Sequence, residues 1–222
     1  IVENPHIRSL ENMPRFFSDP ETFSGLSAVR MYRPLLVLSF ALNYALGQYD
    51  PIGYHLVNVF LHVMNGLSLW LLARALKMCP PAALLAGLVF VAHPVLGEPV
   101  NYISSRSDLL SAFFVLLGLW MFNQSDQRRI AKVLSAFVCA LLVKSVAIVL
   151  PALCAVGIGR EGLADRGRLL RLFSSMGTIA LLYVGLITAN RFLPSSLERV
   201  PRALDVHIWT QVKAWVYAIG VV

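Results

Sequence analysis

The sequence predicts an all-α protein, a polytopic bundle of membrane-spanning helices. Of its 222 residues 57% are hydrophobic and only 14% are charged, whereas about a quarter of the residues in an ordinary soluble domain are charged. The mean hydropathy is +0.67. Several apolar runs approach the roughly 20 residues that a helix needs to cross a hydrocarbon core of about 30 Å. These observations together indicate an integral membrane protein.

Residues 1–54 are predicted to form a first segment on the outer side of the membrane. Within it, residues 33–47 read "RPLLVLSFALNYALG", an apolar stretch that is too short to span comfortably. We expect an amphipathic or re-entrant helix at the outer surface. Arg33 precedes Pro34, and proline suits the first turn of a helix.

Residues 55–222 are predicted to form the transmembrane bundle. The expected spans lie near residues 55–73, 81–93, 107–123, 130–143, 146–159, 169–190 and 209–222. The last apolar run is too short to span, and the sequence starts at Ile1 without a leader. The chain is therefore expected to be a fragment of a longer protein.

Clusters of basic residues predict the orientation of the spans. The clusters are Arg74 with Lys77; Arg128, Arg129 and Lys132; and Arg160, Arg166, Arg168 and Arg171. Loops rich in Lys and Arg lie on the cytoplasmic side. If all three clusters do, residues 130–159 cross twice, and the turn near "LLVKSVAIVLP" puts Lys144 at the outer face. The alternative is one tilted span with Lys144 buried or reaching to the surface.

The net charge of +7 is spread over these short clusters and does not form one basic face. This pattern predicts membrane orientation and not a nucleic-acid partner. The same count places residues 94–106 on the outer side, together with Lys144. Candidate functional groups are therefore expected on that side.

A polar stripe is predicted on the first long span, where His55, Asn58 and His62 share one helix face. Polar groups in a span avoid lipid, so the stripe should face other helices. We expect interhelical hydrogen bonds from Asn58 and His62. His55, nearest the outer surface, is expected to contact substrate.

Four ordered motifs carry a family resemblance. They are "YRPLLVLSFALNY", "DPIGYHLVNVFLHVMNGLSLWLL", "HPVLGEPVNYISSRSDLLSAFFVLLGLW" and "LLVKSVAIVLP". In order and spacing they resemble the membrane region of the transmembrane and tetratricopeptide repeat proteins. These are members of the glycosyltransferase C superfamily of polyprenol-dependent enzymes, and their eukaryotic members are O-mannosyltransferases.

The resemblance implies a glycosyltransferase C type of bundle and transfer of a sugar from a polyprenyl-phosphate donor to a Ser or Thr hydroxyl of a protein acceptor. The transfer is expected at the membrane surface, because the tail of the donor stays in the lipid bilayer. Two departures are visible. Family members carry an Asp-Asp pair just before a segment like "YIVENPHI", so the main catalytic Asp is expected upstream of Ile1. The family also often has Lys-Glu where this chain has Lys144 and Ser145.

Cations are needed in such a reaction to hold the donor phosphate as negative charge grows on it. Arg106 and Lys144 are the expected phosphate partners, and Arg33 is expected either to assist them or to anchor its helix to lipid headgroups. The alternatives for Arg106 and Lys144 are contact with the membrane interface, or for Arg106 a pairing with Asp108. Asp108 itself is expected at the start of a helix, as a cap or as a substrate contact.

A carboxylate is also needed, to act on the acceptor hydroxyl. By resemblance, Glu98 is the second acidic residue of the site, either orienting the acceptor or ligating a divalent ion such as Mg²⁺ or Mn²⁺. The alternative is a solvated loop charge. His93 is expected in the same outer compartment, either in a catalytic role or bonded locally at a helix end.

Two other functions fit the sequence. A transporter or flippase of lipid-linked anionic substrates would use the same basic residues, although the inverted repeats of such proteins are not visible. A non-catalytic membrane scaffold is the third reading. Short loops and the lack of a glycosylation sequon in the outer segments favour a bacterial inner membrane over the endoplasmic reticulum.

Overall fold

The computed structural model describes residues 4–23, 31–124, 128–157 and 166–189. Within these ranges all regular secondary structure is helical, which confirms the all-α prediction. The α-helices are α1 (Met13–Ser18), α2 (Pro34–Gly47), α3 (Pro51–Ala75), α4 (Pro80–Ala92), α5 (Glu98–Asn101), α6 (Arg106–Phe122), α7 (Arg129–Val143), α8 (Leu150–Val156) and α9 (Arg166–Ala189). Short 3-10 helices cover Pro5–Arg8, Leu10–Asn12, Pro20–Phe23, Pro94–Gly97, Ile103–Ser105 and Ser145–Val149.

Three helical segments of the described ranges are long and apolar enough to cross a membrane. They are Pro51–Ala75, Ile103–Phe122 and Arg166–Ala189. A fourth span is possible if Pro80–Ala92 and Pro94–Asn101, which meet at a bend of 57°, act as one broken segment. These helices confirm a multi-pass membrane bundle, while the span expected at 209–222 lies outside the described residues.

Local sequence signals explain where the long helices begin. Asp50 caps α3 by accepting a hydrogen bond from the backbone N–H of Ile52 at 3.0 Å, and Pro51 occupies the first turn. Carboxylate caps and first-turn prolines both favour a helix start. This "DP" signal starts α3 four residues before position 55, where the apolar pattern alone begins. α2 likewise starts at Pro34.

Helices α3 and α4 run in opposite directions, and α6 runs parallel to α3. His62 on α3 contacts the carbonyl oxygen of Val91 near the end of α4. Asn58 and Asn65 of α3 donate to carbonyl oxygens of Tyr102 and Leu109, each 44 residues further along the chain. The carboxyl-terminal end of α4 and the amino-terminal end of α6 therefore both lie beside the middle of α3.

The chain reverses direction at Lys144. α7 is antiparallel to α6, with Arg129 over the ring of Phe122 at one end and Lys144 paired with Asp108 at the other. Gly118 of α6 then lies against both Ala136 of α7 and Leu150 of α8. Residues 129–156 thus form two short segments and not one tilted helix. Which side of a membrane their ends face stays a prediction.

The two ends of the bundle carry different residues. The site end carries residues 93–106, the first turn of α6, Lys144 and the carboxyl-terminal part of α9. The basic end carries Arg74 at the end of α3, Arg129 at the start of α7 and Arg166 at the start of α9. Lys144 and Glu98 therefore share one end of the bundle, opposite the basic clusters that the structure describes.

The hydrophobic core has two parts. The larger joins α6, α7, α8 and α9 around buried side chains such as Phe137, Leu150 and Met176. The smaller joins the amino-terminal segment to α2 through Ile7 and Phe16. α2 is therefore a packed helix that attaches the first segment to the site end of the bundle.

Candidate functional site

Arg106 is completely buried where α2, α3 and α6 meet. Its Nε donates to Asn58 Oδ1 at 3.0 Å, and its two terminal nitrogens donate to the carbonyl oxygens of Ser39 (3.2 Å) and Tyr54 (3.0 Å). The guanidinium also lies over the rings of Phe40, at 4.8 Å, and Tyr54, at 5.4 Å. All three nitrogens are thus used within the protein.

This arrangement favours a structural role for Arg106 over direct contact with substrate. A planar guanidinium donates in fixed directions and stacks on aromatic rings, so one side chain fixes the positions of three helices. Among the described residues no carboxylate pairs with it, and Asp108, two residues later, pairs with Lys144 instead. A phosphate contact by Arg106 stays a prediction.

Three charged side chains lie at the site end, where Asp108 and Lys144 form an ion pair and Arg33 lines the same cleft as Ser145, the residue after Lys144. Lys144 ends α7 in an extended conformation, with φ −157° and ψ 130°, and its ammonium group pairs with the carboxylate of Asp108 in the first turn of α6. Burial lowers the pKa of Arg33, and the negative charge of Asp108 acts in the opposite direction. We call Arg33, Asp108 and Lys144 the charged cluster.

A cleft of about 510 Å³ opens beside the charged cluster. Its walls come from the chain before α2, from the 3-10 helix after Lys144 and from α9. The lining residues are Met31, Tyr32, Arg33, Ser145, Val146, Ile148, Tyr183, Val184, Ile187 and Thr188. The cleft is thus mostly apolar, with a cation and several hydroxyl groups among its lining residues.

Glu98 and His93 lie in the exposed polar segment at the site end. Glu98 begins the short helix α5, and its carbonyl oxygen accepts from the backbone N–H of Tyr102 at 3.1 Å. Its exposed side chain has no hydrogen bond or ion pair with the described part of the chain. His93 caps the following 3-10 helix, since its Nδ1 accepts from the backbone N–H of Val95 at 3.3 Å. Glu98 is therefore open to solvent, while His93 is bonded locally.

The polar stripe of α3 makes the two interhelical bonds that its spacing predicts. Asn58 accepts from Arg106, and His62 Nε2 donates to the carbonyl oxygen of Val91 at 3.1 Å. Asn65 extends the stripe by donating to the carbonyl oxygen of Leu109 at 3.0 Å. His55 is half-buried at the site end of the same helix, and its contact with substrate stays a prediction.

A metal site is not assembled by the residues that the structure describes. No three His, Cys, Asp or Glu side chains converge there as potential ligands. Asp108 is occupied by Lys144, which leaves Glu98 as a single exposed ligand. The described residues alone do not fit a bound divalent ion, and its presence stays a prediction.

The groups that form the far wall of the cleft have no signal in the local sequence. Tyr183 lies within a long apolar run and has no neighbouring polar residue to mark it. Its ring centroid lies 6.2 Å from that of Tyr32, about 150 residues earlier in the chain. Local patterns carry no signal for such a pairing, because it depends on how α9 packs against the segment before α2.

Comparison with known proteins gives several relatives that are named protein O-mannosyl-transferases. The chain is 37% identical over 166 residues to the protein O-mannosyl-transferase Tmtc1 of Drosophila melanogaster, covering 69% of this chain and 19% of that relative. It is 31% identical over 234 residues to Tmtc2 of the same organism, covering 96% of this chain and 24% of that relative.

A human relative is also named a protein O-mannosyl-transferase. The protein O-mannosyl-transferase TMTC4 of Homo sapiens is 41% identical over 109 residues, which cover 43% of this chain and 15% of that relative. This chain belongs to the transmembrane and tetratricopeptide repeat family. No protein-family model matches it, and no solved structure does.

The chain spans about a quarter or less of the length of these family members. Tetratricopeptide repeats and a catalytic Asp before Ile1 stay predictions. The named relatives come from Drosophila and human, so the expected bacterial inner membrane has no support from them. The apolar helices and the family together identify a multi-pass membrane protein.

Proposed function

We propose that this chain forms the donor-binding part of a membrane glycosyltransferase, which moves a sugar from a polyprenyl phosphate to a Ser or Thr hydroxyl of a protein. The relatives' names support transfer of a mannosyl group to protein. The observation that carries the donor assignment is the apolar cleft beside the charged cluster. A polyprenyl phosphate combines the same two features, a long apolar chain and an anionic head.

The charged cluster is suited to bind the phosphate group of the polyprenyl-phosphate donor. Arg33 lines the cleft, and Lys144 lies directly before Ser145, which also lines it. A guanidinium offers two parallel donors to phosphate oxygens, while an ammonium acts as a compact point charge. Both cations would stabilise the negative charge that grows on the phosphate as the sugar leaves.

The reaction needs one bond to form and one to break. The oxygen of the acceptor hydroxyl bonds to the anomeric carbon, the bond from that carbon to the phosphate oxygen breaks, and the phosphate keeps the electron pair. The proton of the hydroxyl passes to a carboxylate. Glu98, exposed at the site end, is available to orient the acceptor or to take that proton.

Arg106 supports this site indirectly in the proposal. By joining Ser39, Asn58 and Tyr54, it fixes α2 and α3 relative to the first turn of α6. Asp108 lies in that turn, and Arg33 directly precedes α2. The spacing of the charged cluster therefore depends on the network around Arg106.

The proposed phosphate contacts of Arg33 and Lys144 are tested by neutralising the two side chains one at a time in the full-length protein. Arg33→Gln and Lys144→Gln should each raise KM for a polyprenyl-phosphate mannose by about tenfold, since each removes a charge-assisted contact to phosphate. Transfer to a Ser/Thr peptide is measured in proteoliposomes, with thermal unfolding recorded beside it. Arg74→Gln, which removes an exposed cation at the basic end, is the matched control.

The outcomes separate the proposal from its alternatives. Wild-type KM in both variants would remove the charged cluster from the donor site. Movement of the lipid across the bilayer without any sugar transfer by the wild-type protein would indicate a flippase. Absence of both activities in a folded, full-length protein would favour a scaffold.

The proposed role of the Glu98 carboxylate in transfer is tested by a separate substitution. Glu98→Gln keeps the volume of the side chain and removes its charge, so turnover should fall by roughly 30-fold to 1000-fold, equivalent to about 2 to 4 kcal/mol of barrier. Because Glu98 is exposed, stability should change by less than about 0.5 kcal/mol. Glu11→Gln, an exposed carboxylate on the amino-terminal segment, is the control. An unchanged rate would make Glu98 a solvated loop charge.

A further inference from the structure

We propose that Asp108 sets the charge of the phosphate site so that a singly charged phosphodiester donor is accepted and the more highly charged phosphomonoester product is released. This inference rests on the proposed function. It assigns to Asp108 a role in discriminating between two lipid phosphates, beyond that of a helix cap or a direct substrate contact.

The geometry that carries the inference is the ion pair of Asp108 with Lys144. The two side chains come from different elements, the first turn of α6 and the end of α7. Nearly half of the Asp108 side chain and about a quarter of the Lys144 side chain are exposed, at 49% and 23%. A ligand at the site end can therefore reach the ammonium group and compete with the carboxylate for it.

Arg33 extends the influence of Asp108 to the wall of the cleft. The charge of Asp108 acts on the half-buried guanidinium of Arg33, which itself lines the cleft. Two cations and one carboxylate give the charged cluster a net charge of +1. A phosphate bound between Arg33 and Lys144 would thus also interact with a nearby negative charge.

Donor and product differ in charge at the phosphate. A sugar esterified to polyprenyl phosphate leaves a phosphodiester with one negative charge. When the sugar departs, the phosphate becomes a monoester, whose second pKa near 6 gives it about −1.5 to −2 charges at pH 7. The net charge of +1 balances the donor, whereas the product carries an excess that Asp108 repels.

The size of the effect follows from Coulomb's law. Removing Asp108 removes one repulsion for each negative charge of the ligand, so the gain in affinity for a dianion is about the square of the gain for a monoanion. At a partly exposed site we expect about threefold tighter binding of the diester and about tenfold tighter binding of the monoester. The ratio of the two affinities is the diagnostic quantity.

The experiment compares two lipids that share one polyprenyl chain. Polyprenyl phosphate and its methyl diester, which is not a sugar donor, are titrated into the full-length protein in nanodiscs, and Kd is measured for each. Asp108→Asn should tighten binding of the monoester about threefold more than binding of the diester. In the transfer assay, polyprenyl phosphate should correspondingly become a stronger product inhibitor.

Three variants act as controls on charge and on folding. Asp50→Asn removes another exposed negative charge at the site end and keeps a capping side chain for α3, and it should leave the ratio unchanged. Asp108→Ser keeps a small polar group at the start of α6 and should reproduce the shift if Asp108→Asn fails to fold. Asp108→Glu retains the charge and should keep the wild-type ratio.

The results that overturn the inference are distinct from those that overturn the proposed function. If the wild-type protein binds neither lipid, the proposed donor site is wrong. If it binds both and Asp108→Asn or Asp108→Ser changes them equally, or not at all, only the role of Asp108 is wrong. Weaker binding of both lipids in a folded variant would instead make Asp108 a residue that positions Lys144, and would equally overturn discrimination.

Discussion

At the scale of single residues, Arg106 shows how a buried charge is stabilised without an opposite charge from the part of the chain that the structure describes. A charged group in an apolar interior is costly unless its donors are satisfied. Here three neutral oxygens and two aromatic faces surround the guanidinium, and each ring face attracts the cation. The side chain therefore connects α2, α3 and α6 through its shape as much as through its charge.

Arg106→Lys tests this structural role. Lysine keeps the charge but has no planar fork, so at least one of the three oxygens loses its donor. We expect a loss of about 2 to 4 kcal/mol in the free energy of unfolding, measured by denaturant titration in detergent micelles. Arg15→Lys, in an exposed pair with Asp19, should change stability by less than about 0.5 kcal/mol. A stable Arg106→Lys protein that no longer binds donor would point to a direct phosphate contact instead.

The interhelical hydrogen bonds of α3 were predictable from the sequence, whereas the shape of the cleft was not. Asn58 and His62 stand out because polar groups in an apolar run need partners on other helices, and both have them. The depth of Arg106 was not predictable, since arginine at the end of a span usually extends to the interface. Its burial depends on Ser39 and Asn58, which lie 67 and 48 residues away.

At the scale of the elements, α3 and α4 approach each other through glycine. A Cβ atom added to Gly87 would lie 2.9 Å from the carbonyl oxygen of Gly66 and 3.2 Å from Cβ of Trp70. Small residues at a helix contact allow backbones in a membrane to pack closely. The contact also holds the end of α4 from which the exposed segment with Glu98 begins.

Gly87→Ala should therefore separate α3 from α4. We expect a loss of about 1 to 3 kcal/mol in the free energy of unfolding, because the close neighbour is backbone and cannot move aside cheaply. Gly185→Ala in α9, where an added Cβ meets nothing within 4 Å, is the matched control and should be neutral or slightly stabilising through helix propensity. Equal stability of the two variants would show that α3 and α4 adjust freely.

The reversal at Lys144 makes a second prediction at this scale. Cysteines at Glu98 and at Ser145, both exposed at the site end, should react with a membrane-impermeant thiol reagent from the same side of the membrane. The native Cys79, exposed in the turn between α3 and α4 at the basic end, should react only after the membrane is permeabilised. For the other two variants Cys79 is replaced by Ser. Labelling of position 98 alone from outside would contradict the placement of the two ends.

At the scale of the whole molecule, helix positions were largely predictable and helix contacts were not. The expected spans at 81–93 and 107–123 correspond to α4 and α6 within one residue at each end, because proline and polar residues flank both apolar runs. The cleft joins residues 31–33, the stretch after Lys144 and the end of α9. Segments so far apart in the chain meet only through tertiary packing, which hydropathy does not encode.

The exposed position of α9 has a consequence for how the protein would meet its donor. Among the described residues only 17% of the most apolar window of α9 is buried, against 44% for α3, so in the predicted bundle the helix that forms one wall of the cleft would face lipid. Under the proposed function, a polyprenyl chain enters from the side and never passes through water. The concentration that governs occupancy is then the mole fraction of donor among the lipids, a two-dimensional quantity. Diluting the donor with inert phospholipid would slow transfer, whereas enlarging the aqueous volume around the same vesicles would leave donor occupancy unchanged.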